Sequence, residues 1–238
     1  MSLPYFYIDH LDVSQKEITL DEETSAHIVQ VLRMKQGENL QLTDGRGKLA
    51  TGHITEAHKK HCSVLIAENS YQPPSVKKVS IAISLIKNSS RFEWFLEKAT
   101  EIGVTEIIPL VGERTIKEKF RFDRMKGICI SAMLQSQQCW LPVLHQPIAF
   151  DLLFRQEELK DIQQKFIAHC EEGNKRSISQ FTQSSIQHSL ILIGPEGDFS
   201  PREIELALQH HFIPVSLGET RLRTETAGIV AATLLKFL

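Results

Sequence analysis

Apolar positions in the first seventy residues fall mostly at alternate places, the period of a half-buried strand. Glu17–Leu20, Leu40–Thr43, Lys48–Ile54 and Ser63–Ala67 carry this alternation, and Asp44-Gly45-Arg46-Gly47 supplies a turn between two of them. One stretch breaks the period: Ser25–Met34 places Ala26, Val29 (or Ile28) and Leu32 at helical spacing. The pattern predicts a small β-barrel with one inserted helix over residues 1–72. Tyr71-Gln72-Pro73-Pro74-Ser75 then interrupts it, because consecutive prolines suit a linker and not a strand interior.

Over residues 73–238 strands alternate with helices. Val79–Ile86 is a β-branched run, followed by a helix over about Arg91–Ile102 and a strand over Glu106–Leu110. A helix over Arg121–Gln138, a short one from Phe150, and strands at Lys165–His169, Leu190–Ile193 and Ile213–Leu217 follow. A final helix, Ala227–Leu238, is apolar on nearly every side and must be largely enclosed. This order predicts an α/β fold, a mainly parallel sheet with helices on both faces.

Composition changes little. At 42% hydrophobic, 24% charged and net -2, the chain reads as a soluble globular protein with no overall basic signature. Residues 1–72 hold 7 Lys+Arg against 10 Asp+Glu, so the N-terminal part is not a general basic clamp. No apolar run is long enough to span a bilayer, and the N-terminus lacks a signal-peptide pattern; a cytoplasmic protein is expected. Cys62, Cys129, Cys139 and Cys170 form no Cys-x-x-Cys pair and read as reduced thiols. His53, His58 and His61 lack a companion ligand set, so no metal site is expected. His210 and His211 close a helix and suit its dipole.

Candidate chemistry sits near the C-terminus. The strand ending at Ile193 runs into Gly194-Pro195-Glu196-Gly197-Asp198-Phe199, then Ser200-Pro201-Arg202-Glu203. Ser200 can cap the next helix, Pro201 suits its first position, and Glu203 completes a capping box. A strand, a glycine-bearing loop and a helix start at a parallel strand's carboxyl end are, taken alone, either a simple turn or a ligand site. It is neither a dinucleotide loop, lacking Gly-x-Gly-x-x-Gly, nor a phosphate loop, lacking Gly-Lys-Ser/Thr. Further on, Gly218 precedes Glu219-Thr220-Arg221-Leu222-Arg223-Thr224-Glu225-Thr226-Ala227, a charged segment entering an enclosed helix. This is either a solvated loop or a set of converging polar groups.

These two motifs together resemble the SPOUT superfamily of trefoil-knotted methyltransferases, and within it the ribosomal RNA small-subunit methyltransferase E family. The resemblance extends through Glu97–Val104, Glu113-Arg114-Thr115, Gln135-Ser136 and Leu141-Pro142, and through His27-x-x-x-Val31-Leu32-Arg33, which is similar to the family's PUA-like barrel. It covers nearly the whole chain. The resemblance implies a knotted methyltransferase domain behind a PUA-like barrel, a homodimer, and S-adenosylmethionine as cofactor. It further implies methylation of N3 of a uridine in 16S ribosomal RNA, the free RNA or the small ribosomal subunit being the partner. Two departures stand out. Leu134-Gln135-Ser136-Gln137-Gln138-Cys139-Trp140 replaces an acid and two arginines of the family pattern, and Asp198 stands at a second paired glycine.

On this reading the cofactor is held by Leu192, Ile193, Gly194, Pro195, Glu196, Gly197, Leu217, Gly218, Leu222 and Thr226. Uracil N3 must lose a proton, which calls for a base or for stabilisation of the resulting anion. Arg223 is the candidate for charge stabilisation; Glu196 or Glu225 is either the base or an arginine's ion-pair partner. RNA contacts are expected from Arg91, Arg114, Lys117, Lys119 and Arg121, the last four in the basic stretch Arg114–Lys126. His27 and Arg33 are either RNA contacts or core packing. Two alternatives stay open: a SPOUT enzyme acting on a ribose hydroxyl or transfer RNA, and a non-catalytic RNA-binding assembly factor.

Overall fold

The computed structural model describes residues 3–116, 119–171, 175–181 and 186–237. The chain divides into two units, Met1–Pro74 with Ile130–Leu141, and Ser75–Cys129 with Pro142–Leu238.

In the first unit β1 (Tyr5–Tyr7), β2 (Glu17–Thr19), β3 (Asn39–Thr43), β4 (Lys48–Glu56) and β5 (Ser63–Tyr71) form one sheet, ordered β1-β3-β4-β5-β2. β1 runs parallel to β3 and the other neighbours are antiparallel. Leu40 and Leu42, then Ala50 and Ile54, point inward at even spacing and join Phe6, Ile18, Ile28 and Val64 in the core. Gly52 sits at a register shift, where the Leu65 carbonyl occupies the place a Cβ would take. β5 runs on to Tyr71, so the strand is longer than the alternation predicts.

The helix expected over Ser25–Met34 is differently built. α1 (Glu22–Ala26) starts earlier, because the Asp21 carboxylate accepts the Thr24 N–H at 2.8 Å and caps it. His27–Val31 then forms a π-helical turn, with the Leu32 N–H reaching the His27 carbonyl at 3.0 Å. Arg33, at φ +56°, ends it. Buried Ser25 fixes this segment to the sheet: its hydroxyl donates to the Leu20 carbonyl at 3.2 Å and accepts the Cys62 N–H at 2.8 Å.

Residues 130–141 pack in this first unit, against the turn between β3 and β4. The Gly47 N–H donates to the Cys139 carbonyl at 2.8 Å and the Leu141 N–H to the Gly45 carbonyl at 2.9 Å. Trp140 Nε1 donates to the Gln72 carbonyl at 2.9 Å. Gly47 has φ +92°, and a Cβ there would lie 2.7 Å from the Trp140 ring, so only glycine fits.

The second unit contains β6 (Lys78–Ser84), α2 (Ser89–Ile102), β7 (Glu106–Val111), the start of α3 (Phe122–Gln135), β8 (Val143–Leu144), β9 (Ile148–Ala149) and α4 (Phe150–Leu153). It continues with β10 (Gln164–Ala168), β11 (Arg176–Ser177), β12 (His188–Ile193), α5 (Pro201–Gln209), β13 (Ile213–Ser216) and α6 (Thr224–Phe237). The sheet order is β11-β13-β10-β12-β6-β7-β8, with β9 also on β7, and every pairing is parallel. Ala82, Ile108, Leu190 and Leu192 face one side, packed with Phe150, Phe199, Ile204 and Ala207 of the segments carrying α4 and α5. On the other side α6 packs against α2, β6 and β12. Gly228 permits this approach, since the Phe95 ring (2.6 Å) and Ile83 Cδ1 (3.0 Å) crowd the place of a Cβ. α6 begins at Thr224, one turn before the apolar run suggests. No helix among the described residues is long and apolar enough to cross a membrane.

Where β6, β7 and β12 begin, Ser80 donates to Glu106 at 2.5 Å and lies 2.9 Å from His188 Nε2; His145 Nε2 is 2.8 Å from the other Glu106 oxygen. Burial alone would raise the Glu106 carboxyl, but hydrogen bonds from His145 and Ser80 hold it below the usual range.

Gly228→Val should cost about 1–3 kcal/mol by forcing α6 away from Phe95. Gly127→Ala on α3, with open space around it, should be neutral or stabilising, and urea unfolding of both variants provides the comparison. Glu106 has a folded pKa below its unfolded value, so it stabilises the fold above the unfolded pKa and loses that effect as pH falls through the folded one. The stability gap between wild type and Glu106→Gln should therefore be full near neutrality and close as pH falls below the usual carboxylate range; a gap independent of pH would show the carboxylate charge to be irrelevant.

Candidate active site

The segment after β12 is folded tightly on itself. The Asp198 N–H donates to the Pro195 carbonyl at 2.9 Å, closing a turn. A Cβ on Gly194 would stand 3.1 Å from the Phe199 nitrogen, so the loop leaves little room there. Asp198 has φ +64°, the left-handed region that favours glycine. Its carboxylate offsets that strain by accepting two N–H groups, from Phe199 at 2.8 Å and from Cys170, just beyond β10, at 2.7 Å.

α5 starts as the capping box predicts, with the Glu203 N–H donating to Ser200 Oγ at 3.2 Å and the Ser200 N–H to Glu203 Oε2 at 2.8 Å. Glu203 does more than cap. It is buried, and Oε1 accepts the Glu113 N–H at 2.9 Å, which ties the turn after β7 to the start of α5. Gly112 leaves room for that oxygen. Next to it, Arg114 Nη1 donates to the Gly197 carbonyl at 2.8 Å and the Phe199 carbonyl at 3.3 Å.

The segment after β13 meets this loop through one buried hydrogen bond, Thr224 Oγ1 donating to the Gly194 carbonyl at 2.9 Å. Gly218, at φ +149°, turns the chain with open space around it. The Arg223 carbonyl accepts the Ala227 N–H at 2.7 Å, so Arg223 stands immediately before α6 while its side chain is exposed. That guanidinium has no hydrogen-bond or ion-pair partner among the described residues.

Between these segments lies a cavity of about 680 Å³ at the carboxyl ends of β10, β12 and β13, a size suited to a small-molecule ligand. Of the residues expected at the site, Ile193, Gly194, Pro195, Glu196, Leu217, Gly218, Leu222 and Arg223 line it. Leu192, Gly197, Glu225 and Thr226 do not. Leu192 points into the core on the opposite side of the sheet, because it alternates with Ile193. A Cβ on Gly197 would face Arg114 at 3.6 Å. Glu225 is buried and its Oε1 lies 3.7 Å from Arg91 Nε. Glu196 is exposed, with Oε1 accepting the Lys87 N–H at 3.4 Å.

His169, Cys170 and Lys175 also line the cavity and are absent from the sequence-derived set. The one signal in the sequence is that His169 closes a strand of a parallel sheet, the end at which such sheets hold ligands. Burial, then the nearby Lys175, lowers the His169 pKa, so its imidazole is neutral near pH 7. Its buried Nδ1 has no hydrogen-bond partner among the described residues. Lys175 donates to the His169 and Glu171 carbonyls at 2.8 and 2.6 Å.

The residues expected to touch RNA differ in their surroundings. Arg91 faces Glu225 and Arg114 braces the loop, so both have structural partners. Lys119 and Arg121 are exposed, and Lys117 lies outside the described residues. His27 and Arg33 are exposed in the first unit, His27 standing edge-on to Phe6 with ring centroids 6.0 Å apart. No group of three or more metal-ligating side chains occurs among the described residues.

The cavity fits S-adenosylmethionine in chemistry as well as size. Val215, Leu217 and Leu222 offer apolar walls, the glycine turns offer backbone groups, and the His169 Nδ1 is unsatisfied.

A family model described as an RNA methyltransferase domain matches residues 72–236, and one described as an RNA methyltransferase PUA domain matches residues 20–67. A probable rRNA-methyltransferase from Porphyromonas gingivalis is 41% identical, with a TM-score of 0.87 over 97% of this chain and 95% of that one. A putative methyltransferase from Legionella pneumophila, in complex with the bound cofactor SAM, is 30% identical with a TM-score of 0.88, covering 99% and 97%. The ribosomal RNA small subunit methyltransferase E of Synechocystis is 30% identical over 92% of this chain and 72% of its own length. The chain belongs to the RNA methyltransferase family, and its full-length relatives include ribosomal RNA small subunit methyltransferase E.

Proposed function

We propose that the protein methylates RNA of the small ribosomal subunit, with S-adenosylmethionine as cofactor and N3 of a uridine in 16S ribosomal RNA as acceptor. The observation that carries this is the cavity lined by the two segments that the Thr224–Gly194 hydrogen bond joins, with an arginine that has no ion-pair partner among the described residues on its wall. S-adenosylmethionine supplies a methyl group on a sulfonium that is already a good leaving group. The protein's own task is alignment, holding the acceptor nitrogen in line at about 3 Å from the carbon it attacks. Ile193, Gly194, Leu217, Gly218 and Leu222 are placed to hold the cofactor.

In this reading Arg223, on the cavity wall, donates to a uracil oxygen and stabilises the anion formed when N3 loses its proton. Neither proposed ion-pair partner takes it: Glu225 faces Arg91, and Glu196 accepts from the Lys87 backbone. Glu196 is the better placed of the two carboxylates for the base, since it is exposed on the cavity wall while Glu225 is buried outside it.

A homodimer is part of this reading. On the outer side of α6, Phe237 is exposed and Ile229, Val230 and Leu234 are only partly covered, an apolar strip that a second copy would bury. The cytoplasm, where ribosomes assemble, is the expected location.

Mapping modified nucleosides in 16S ribosomal RNA from a strain lacking the gene tests the function directly. One N3-methyluridine should disappear and return on complementation; an unchanged modification map removes the assignment. Arg223→Ala should lower kcat by roughly 10²–10³ while melting temperature and cofactor affinity hold. A fall in stability and cofactor affinity with kcat preserved would make Arg223 structural instead. Thr224→Val keeps the shape but leaves the Gly194 carbonyl buried without its donor, at about 1–3 kcal/mol. It should weaken cofactor binding by about tenfold in calorimetry, and equal affinity would show that the two segments hold together without that bond.

A further inference from the structure

The chain has three tyrosines and two tryptophans, and all three tyrosines with Trp140 gather about the Asp44–Gly47 turn of the first unit. Tyr5 and Tyr7 alternate with buried Phe6 on β1, so they share the opposite face, and both are half-exposed. The Tyr7 ring lies 3.3 Å from the place of a Gly45 Cβ. Trp140 lies against Gly47 and pairs through its backbone with Arg46. Tyr71, at the end of β5, meets Trp140 edge-on with ring centroids 6.2 Å apart, and 60% of its surface is exposed. Arg46 is exposed at the tip of the turn, its guanidinium without a hydrogen-bond or ion-pair partner among the described residues. Lys48, by contrast, is engaged with the Leu11 carbonyl at 2.9 Å and the Asp44 carboxylate at 3.9 Å.

Anchoring residues 130–141 to the turn accounts for one face of Trp140 and for its Nε1. It does not account for an exposed tyrosine and an unpaired arginine beside it. Residues 1–72 carry 7 Lys+Arg against 10 Asp+Glu, so release of counterions from phosphate cannot be the main source of affinity here. Aromatic faces next to a guanidinium attract unstacked bases by a route that needs little net charge. A-form duplex keeps its bases stacked and cannot use such a surface.

We propose that Tyr71, Trp140 and Arg46 form a stacking platform for unpaired bases of the RNA substrate. The platform rests on the RNA methyltransferase reading but shares no residue with the cofactor cavity, so each can be tested alone. In a Trp94→Phe background Trp140 is the sole tryptophan, and its fluorescence should be quenched by a single-stranded RNA hexanucleotide and not by a duplex of the same length. Tyr71→Ala should weaken that binding about tenfold, with an unchanged salt slope, and Tyr71→Phe should restore it. Arg46→Ala should weaken it and reduce the slope by about one phosphate contact. Tyr71→Ala binding as tightly as its parent, or equal quenching by duplex, overturns the platform. So does a response to small ribosomal subunits with none to protein-free ribosomal RNA, which would make the surface a protein contact. Cofactor calorimetry and methyl transfer by the unsubstituted protein are measured alongside. Their failure would remove the proposed enzyme function and leave the hexanucleotide result to stand on its own.

Discussion

A loop that leaves a buried parallel strand has to find partners for its backbone polar groups, and this requirement organises the methyltransferase unit. After β12 few of those partners come from regular secondary structure. Thr224 reaches back from α6 to the Gly194 carbonyl, Arg114 reaches over from the turn after β7 to two carbonyls, and Glu203 holds Ser200 and Glu113 together. Three chain segments distant in sequence are thereby fixed to one another beside the cavity. Removing any of these side chains leaves a buried or half-buried polar group without its partner, which is a larger loss than the single contact suggests.

The same requirement explains which site residues were legible in the sequence. Ser200, Pro201 and Glu203 announce a helix start because their bonds are local, and the structure places each as its spacing implies. The bond from Glu203 to Glu113 spans ninety residues and leaves no periodic trace. Glu225 and Arg223 are two residues apart in a charged run, and only the fold shows that one is enclosed with Arg91 while the other is exposed. His169 was passed over because an isolated histidine at a strand end carries no motif. Its significance depends on β10 lying beside β12, a pairing that local pattern does not fix.

Element types were easier to read than their limits. The alternation of Leu40 with Leu42 and the β-branched run of β6 survive as strands because burial on one or both faces enforces them. The segment from Ser25 to Met34 has helical spacing, yet the chain forms a short helix and a π-helical turn there. The Asp21 cap moves the start forward, while Ser25 pins the segment to the Leu20 carbonyl and the Cys62 N–H. Tertiary hydrogen bonds prevailed over the local period. β1 is only three residues long and pairs with a strand more than thirty residues away, too short a stretch to show alternation.

Asp198 has a consequence for how the cavity behaves before any ligand arrives. A glycine at a left-handed position leaves the unfolded chain and the empty loop many conformations, and that freedom is lost when a ligand orders the loop. Here the side chain holds the turn in place through the Cys170 and Phe199 N–H groups. The ordering entropy is then spent during folding instead of at the binding step. Such a preorganised wall favours fast ligand arrival, because little rearrangement separates the empty site from the filled one.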